Sequence, residues 1–247
     1  MILFSVITVT YNAEKTLERT LKSVQEQTYA NIEHILVDGK SEDGTVELIK
    51  QYQNKKTHWI SEKDSGIYDA MNKATKMAEG EYICYLNAGD AFYEKDSVEK
   101  IVAAAQNSNL PDILYGETVV INNRGEFLYN RRLKAPKTLN WKSFKQGMVV
   151  CHQAFIVKRT LFESYDLTYR FSADVDWCIR LMKKADSIVN TNIILIRYLN
   201  QGITTENRKA SLKERYRIMA KHYGSLSTFL HHIWFFIRAL LKPEKKS

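Results

Sequence analysis

At 247 residues, the chain is long enough for one large domain, or for one domain with an appendage. Its composition, with 45% hydrophobic and 26% charged residues but only 3 prolines and 10 glycines, excludes a collagenous or a disordered protein. The net charge of +8 is confined to residues 208–247, where ten lysines and arginines accompany two acidic residues, and the absence of a nucleic-acid-binding motif argues against nucleic acid as a partner.

Strands and helices alternate over the first ninety residues. Strand patterns cover Phe4–Thr10, Ile32–Val37, His58–Ser61 and Tyr82–Leu86, and helical patterns lie between them at Leu17–Val24, Thr45–Tyr52 and Ile67–Met77. Tyr82–Leu86 is apolar without a break, which is typical of a strand covered on both faces. The alternation predicts a parallel sheet with helices on both faces.

Polar side chains follow three of these strands. Asn12, Asp38 and Asp90 come after the first, second and fourth strands. Because the carboxyl ends of parallel strands meet at one edge, where open α/β sheets bind ligands, the three predict a crevice for a nucleotide. The first strand is followed by neither GxGxxG nor GxxxxGK[ST], which argues against a dinucleotide-binding fold and a P-loop enzyme. For residues 87–90, an ordinary turn is the alternative interpretation, because Asn, Gly and Asp are common turn residues.

The second half of the chain has a less regular pattern. It predicts a helix over Asp96–Ala105, a strand from Asp112 to Glu117, a hairpin turn at Asn122–Gly125 and strand-like sequence over residues 187–199. Asp174 opens a further helical pattern, in which Trp177 and Leu181 follow on one side. This half is assigned to contacts with a second substrate.

Four separated motifs occur in a fixed order, at Ser5–Asn12, Val37–Thr45, Asp64–Ala74 and Leu86–Asp90. Together they resemble the family 2 glycosyltransferases of bacterial surface-polysaccharide synthesis, over about residues 4–205. The resemblance implies a GT-A fold, an α/β architecture with a Rossmann-like, mostly parallel sheet flanked by helices. The glycosyltransferase domain would cover residues 1–205 and a helical tail residues 206–247. A nucleotide-sugar donor, a divalent cation (Mg²⁺ or Mn²⁺) and inversion at the anomeric carbon are also implied.

The same resemblance assigns roles to individual donor-side residues. It places Thr10, Asn12 and Asn87 in the donor pocket, Asp38 on the base, Asp64 beside the nucleotide and Asp90 on the metal ion. Two departures from the family pattern stand out. Lys40 replaces a glycine in the second motif, where it points either to the pocket or to solvent. In the fourth motif Asn87 and Gly89 occupy positions that are often acidic, so Asp90 is the only carboxylate left to hold a cation.

Three residues are assigned to the acceptor side by the resemblance. Asp174 matches the family's catalytic base, Asp176 would support its helix, and His152 would face the acceptor. Each has a structural alternative: an acid at a helix start is stable as a cap, and a single histidine is often part of a core. Gln201–Thr205 resembles in part a loop that the family places over the donor.

The basic tail predicts two helices, over Ser211–Tyr223 and Ser227–Leu241. The second is rich in Trp, Phe, Leu and Ile, but its apolar run is shorter than the ~20 residues that span a bilayer. Together with Lys242, Lys245 and Lys246, it indicates an interfacial helix on an anionic membrane surface. The protein would then be cytoplasmic and peripheral at the inner face of the cell membrane. Alternatively, the apolar face packs on the domain or on a second copy in a homodimer.

The sequence as a whole predicts an inverting, metal-dependent glycosyltransferase of surface-polysaccharide synthesis. The donor would be a nucleotide-sugar, most simply a UDP-sugar, and the acceptor a saccharide, which the tail suggests is lipid-linked. The alternative is a non-catalytic, membrane-associated protein of the same fold that binds a nucleotide-sugar. The reduced fourth motif favours this alternative, whereas a carboxylate at position 174 and His152 favour the enzyme.

Overall fold

The computed structural model of this chain describes residues 1–200 and 207–240. Its strands are β1 (Phe4–Thr10), β2 (Ile32–Asp38), β3 (Thr57–Ser61), β4 (Tyr82–Tyr85), β5 (Ala91–Phe92), β6 (Ile113–Ile121), β7 (Phe127–Asn130), β8 (Phe155–Lys158) and β9 (Ile188–Leu199). Its α-helices are α1 (Glu14–Gln25), α2 (Thr45–Tyr52), α3 (Ile67–Met77), α4 (Ser97–Asn107), α5 (Ala173–Lys184), α6 (Arg208–Tyr223) and α7 (Ser225–Leu240). Short 3₁₀ helices cover Trp141–Gln146, His152–Ala154 and Arg159–Leu161.

The nine strands of the described residues form one sheet, in the order β3-β2-β1-β4-β8-β6-β9-β5. Strand β7 lies off this path and pairs with the C-terminal end of β6. The first four strands in this order are parallel, as the alternating pattern predicts. The remainder is mixed, because β8 runs antiparallel to both β4 and β6 while β9 runs parallel to β6. The hairpin predicted at Asn122–Gly125 is confirmed as the connection from β6 to β7.

Helices cover both faces of the sheet and shield its central strands from solvent. Ile7 packs in one buried cluster with residues of α3 and α5, whereas its neighbour Val6 packs with α4 in another. Leu36 of β2 joins a third cluster with α1 and α2. Since successive strand residues point to opposite faces, β1 and β2 are buried along their whole length. Their polar residues are buried with them and pair across the two strands, Ser5 with Glu33 and Thr8 with His34.

The predicted tail differs between its two helices. In α6, Ile218 is fully buried and belongs to the same core cluster as β1, so this helix packs onto the body of the protein. In α7, a row of large apolar residues is exposed. Some sequence predictions concern residues outside the described part of the chain: Gln201–Thr205, Leu241, Lys242, Lys245 and Lys246. The predicted domain boundary at 205/206 also lies outside it.

Candidate functional site

Asp38 lies at the carboxyl end of β2, beside Thr10 at the end of β1. Its side chain is fully buried and accepts hydrogen bonds from Thr10 Oγ1 (3.0 Å), Ser61 Oγ (2.7 Å) and the Ser41 N–H (2.9 Å). Burial by itself would raise the pKa of Asp38, but these hydrogen bonds outweigh it and leave the pKa below its ordinary value. With both oxygens engaged by the protein, Asp38 holds the ends of three strands together, and its contact with a base stays a prediction.

The loop after β2 folds back onto the loop after β1. Asn12 is exposed, its N–H donates to Ser41 Oγ (2.8 Å), and its Oδ1 accepts from the Glu42 N–H (3.0 Å). Lys40 is also exposed and has a left-handed backbone, with φ of 65°. Glycine adopts this conformation without steric cost, which gives the physical reason for the glycine in the family pattern. The exposed Lys40 lies between Asp38 and Ser41 in the chain, and both orientations predicted for its side chain remain open.

Asp64 joins the same edge from the loop after β3. Its Oδ1 accepts from the Gly66 N–H (2.8 Å), and its Oδ2 lies against Gly39. A Cβ atom at position 39 would be only 2.5 Å from that oxygen, so a larger residue there would displace the Asp64 carboxylate. The structure therefore brings Thr10, Asn12, Asp38 and Asp64 together at the carboxyl edge of the parallel strands.

Asp90 lies in the turn after β4 and is only 2% exposed. Its Oδ1 accepts from the Leu199 N–H (2.8 Å), and its Oδ2 accepts from Gln153 Nε2 (2.7 Å). Burial raises the pKa of Asp90 to about 7, even though both hydrogen bonds act in the opposite direction. The carboxyl group thus links the turn to the end of β9 and to the residue after His152. Gln153, the partner of Asp90, was not among the residues predicted from the sequence, although it follows the predicted His152 directly.

A divalent cation at this turn would need oxygen ligands. Both Asp90 oxygens already accept protein hydrogen bonds, and Gly89 has φ of +97° with no room for a side chain, because a Cβ would lie 2.5 Å from Leu199 Cδ2. In the same turn, Asn87 Oδ1 is buried and has no hydrogen-bond partner among the described residues. Across residues 1–200 and 207–240, no group of three or more His, Cys, Asp and Glu side chains could hold a metal ion. This arrangement does not fit a cation bound by protein ligands alone.

Asp174 and Asp176 both lie in the first turn of α5 but have different surroundings. Asp174 is partly exposed and accepts a hydrogen bond from the Tyr68 hydroxyl (3.0 Å). Tyr68 lies in the third motif but was not predicted as a site residue. Asp176 is fully buried and bonds to Arg180 Nε (2.7 Å) and His222 Nε2 (2.8 Å). Burial would raise the pKa of Asp176, but these partners hold it well below its usual range. Only Asp174 of the two offers an accessible carboxylate.

His152 is 5% exposed and belongs to an aromatic cluster in the core. Its ring stacks on Tyr85 with centroids 4.9 Å apart, and its Nε2 is 2.5 Å from the Tyr165 hydroxyl. Burial lowers the pKa of His152 to about 4, although the negative charge of Asp174 opposes the shift, so the imidazole is neutral at pH 7. A neutral ring buried in an aromatic cluster fits the structural alternative, and a role for His152 on the acceptor side stays a prediction.

Asp90 and Asp174 lie in one neighbourhood although they are far apart in the chain. Both negative charges act on the same two buried groups and help to raise the pKa of the Cys151 thiol and of the Tyr198 hydroxyl, for which burial is the main cause. The segment from Asp64 to Tyr68 connects this neighbourhood to the edge formed by Asp38. The site thus has two parts, a polar strand edge and an accessible carboxylate, joined by the third motif.

Comparisons with known proteins agree over most of the chain. A family model described as glycosyl transferase family 2 matches residues 5–166. A PGL/p-HBAD biosynthesis glycosyltransferase of Mycobacterium tuberculosis is 33% identical over 184 residues, which cover 72% of this chain and 69% of the relative. A putative teichuronic acid biosynthesis glycosyltransferase of Bacillus subtilis, TuaG, is 27% identical over 99% of this chain and 97% of its own length.

Solved structures share the fold at lower sequence identity. The S. aureus TarS fragment 1–349 in complex with UDP-GlcNAc has a TM-score of 0.70 at 20% identity, covering 88% of this chain and 64% of that one. A mannosyltransferase from Pyrobaculum calidifontis in complex with GDP-Man and Mn²⁺ has a TM-score of 0.63 at 14% identity, covering 98% of this chain and 76% of that one. These likenesses confirm the predicted fold class.

Proposed function

This chain belongs to glycosyl transferase family 2 and is a glycosyltransferase, and from that premise we propose that it transfers a sugar, with inversion, from a UDP-sugar to a saccharide acceptor. The observation that carries the proposal is the accessible Asp174 carboxylate, held by Tyr68 beside the strand edge that contains Asp38. A partly exposed carboxylate next to a ligand-binding edge is what a general base requires. The names of the mycobacterial relative and of TuaG support a role in surface-polysaccharide synthesis.

In the proposed reaction, Asp174 accepts the proton of the attacking acceptor hydroxyl. The hydroxyl oxygen bonds to the anomeric carbon from the face opposite the leaving group, and the bond from that carbon to the diphosphate breaks. Tyr68 donates a hydrogen bond to Asp174 and so orients its carboxylate before the acceptor arrives.

On the donor side, we propose that Thr10, Asn12, Asp64 and Asn87 line the pocket. The exposed Asn12 and the partly exposed Asp64 are accessible to a nucleotide, whereas Asp38 acts by fixing the Ser41 loop. Asn87 contributes the buried Oδ1 that has no partner, an acceptor suited to a hydroxyl or amide donor of the ligand. The TarS complex with UDP-GlcNAc supports UDP as the nucleotide, through the shared fold alone.

We propose that the predicted cation, Mg²⁺ or Mn²⁺, binds only when the donor is bound, because the donor phosphates would supply part of its ligands. Magnesium is commonly bound by one or two carboxylates plus substrate phosphates, and it keeps several waters. Each Asp90 oxygen accepts one protein hydrogen bond and keeps a second lone pair, so a cation there would share a carboxylate that Gln153 and Leu199 orient. The neighbour with GDP-Man and Mn²⁺ supports the cation by fold only.

The test is incubation of the full chain with a panel of UDP-, GDP- and dTDP-sugars, scoring release of the nucleoside diphosphate with Mn²⁺, with Mg²⁺ and with EDTA. We expect release from a UDP-sugar above the level without enzyme. Release that persists in EDTA would remove the cation from the proposal. Absence of release from every donor would favour the non-catalytic alternative.

We also propose that α7 lies on an anionic membrane surface and that the acceptor is lipid-linked. Six large apolar residues of α7 recur at helical spacing and are 40–74% exposed: Leu226, Phe229, Leu230, Ile233, Trp234 and Ile237. Exposed basic residues of α6, including Lys209, Lys213 and Arg217, lie in the adjoining helix. In the ranges that the structure describes, no helix is both long and apolar enough to cross a bilayer. An exposed apolar helix face next to basic residues is typical of interfacial binding.

Leu230→Glu combined with Trp234→Glu should release the protein from vesicles that contain anionic lipid. Burial of such a side chain contributes about 1.5–3 kcal/mol, so the double variant should partition at least about 10²-fold more weakly. The measurement is co-sedimentation with vesicles at low and high salt, where the wild type is partly released by salt.

The matched control is Gln106→Glu with Asn107→Glu on the exposed part of α4, which makes the same change in charge away from α7. This control should still bind. If the α7 variant remains bound to vesicles, or if the wild type proves to be a dimer that the variant disrupts, then the apolar face is a protein contact and not a membrane contact.

A further inference from the structure

Helix α6 is fixed against the start of α5, where Asp174 lies. Ser211 Oγ is 3.0 Å from Ser172 Oγ, and His222 Nε2 is 2.8 Å from Asp176 Oδ1. Glu214 adds a third attachment, because its carboxylate accepts from the backbone N–H groups of residues 170 (2.9 Å) and 171 (2.7 Å). These contacts set the rotation of α6 about its own axis.

Arg215 lies on the face of α6 that these contacts turn toward α5. It follows Ser211 by four residues and precedes His222 by seven, and both spacings place side chains on one side of a helix. Its positive charge is close enough to Tyr68 to lower the pKa of that hydroxyl, against the larger effects of burial and of Asp174. Glu214, the residue before Arg215, holds residues 170 and 171, which precede Asp174 closely in the chain, so Arg215 lies near the start of α5 and the Tyr68–Asp174 hydrogen bond.

One nitrogen of the Arg215 guanidinium, Nε, lacks a partner among the residues that the structure describes. Its Nε–H is buried and has no hydrogen-bond acceptor in the described part of the chain. A buried donor without an acceptor is costly, and in native proteins such a group calls for an explanation, such as a ligand that completes it. Carboxylates and phosphates are the groups that match a guanidinium best, because they accept two parallel hydrogen bonds from it.

We propose that Arg215 binds an anionic group of the acceptor, a carboxylate or a phosphate, and so makes the enzyme selective for a negatively charged acceptor. The inference rests on the proposed function, in which Asp174 activates the acceptor hydroxyl. We assign the anion to the acceptor because Arg215 lies on the helix that is attached to the start of α5, where Asp174 lies. The proposed nucleotide pocket lies instead at Thr10, Asn12 and Asp64.

The experiment compares Arg215→Gln and Arg215→Lys with Arg217→Gln in the full chain. Arg217 is exposed on the same helix, so its replacement makes the same change in charge without touching the site. The probes are glucuronic acid, decyl phosphate and neutral glucose, titrated by ligand-observed NMR with UDP present, and the affinity for UDP is measured separately. Thermal unfolding of each variant reports whether the fold is retained.

We expect wild type to bind glucuronic acid or decyl phosphate more tightly than glucose, and Arg215→Gln to lose about 10-fold or more in affinity for the anionic probe. Arg215→Lys should lose less, and Arg217→Gln should match wild type. Which of the two probes binds identifies a sugar carboxylate or a lipid phosphate as the source of the charge.

Three results would overturn the proposal: no preference of wild type for an anionic probe, equal binding by Arg215→Gln, or a loss of UDP affinity in Arg215→Gln. The last would assign the anion to the donor. The readout is binding, so it stays separate from the proposed function, which fails instead if no nucleotide-sugar is turned over.

Discussion

Asp174→Asn should lower the turnover of sugar transfer by about 10²–10⁴-fold, the range expected when a general base is removed. Asparagine has nearly the same shape, and its Oδ1 can still accept the hydrogen bond from Tyr68. Because Asp174 is partly exposed, the substitution should have little effect on the free energy of unfolding. The affinity for the nucleotide should also be unchanged, since Asp174 lies outside the strand edge formed by Asp38.

The measurement is kcat with the donor identified in the panel, together with the UDP dissociation constant and the thermal midpoint. Loss of turnover with normal UDP binding and normal stability supports Asp174 as the base. Full turnover in Asp174→Asn would contradict the assignment whatever the behaviour of other variants.

Asp176→Asn should instead destabilise the fold, by about 3 kcal/mol. Its carboxylate is fully buried and bonds to Arg180, His222 and Lys221, and the variant removes this shared buried partner from all three. Arg180 then loses one ion pair and keeps the one with Glu163. We place the effect at the low end of the range for broken buried ion pairs because Lys221 is half exposed and water screens its charge.

This effect has a defined pH dependence. The pKa of Asp176 is lower in the folded state than in the unfolded chain, so its contribution to stability is complete above the ordinary Asp pKa of about 4. The contribution decreases as the pH falls below that value, toward the folded-state pKa. Urea unfolding should therefore show the full difference between wild type and Asp176→Asn at pH 7 and a smaller one near pH 3.

The two variants should therefore differ in what they lose. Asp174→Asn should lose activity and keep its stability, whereas Asp176→Asn should lose stability. If Asp176→Asn abolishes transfer without loss of stability while Asp174→Asn remains active, the catalytic base has been assigned to the wrong carboxylate.

Much of the fold could be predicted from the sequence because the information is local. The predicted strand Phe4–Thr10 and helix Ile67–Met77 have the same bounds in the structure. Strands covered by helices on both faces are apolar along their length, and amphipathic helices show their buried face in the spacing of apolar residues. The mixed half of the sheet was less predictable, since β8 and β9 pair with strands far away in the chain.

The sequence by itself determined the α/β alternation, the motifs that identify the family and the residue types of the site. Only the tertiary structure decided how these residues act. It connected Asp90 to Gln153, Tyr68 to Asp174 and α6 to α5, across separations of 63, 106 and 39 residues or more. Such pairs leave no local pattern, because a hydrogen bond depends on atoms meeting at about 3 Å, and this follows from the packing of whole elements. For the same reason, two aspartates only two residues apart became an accessible carboxylate and a buried ion pair.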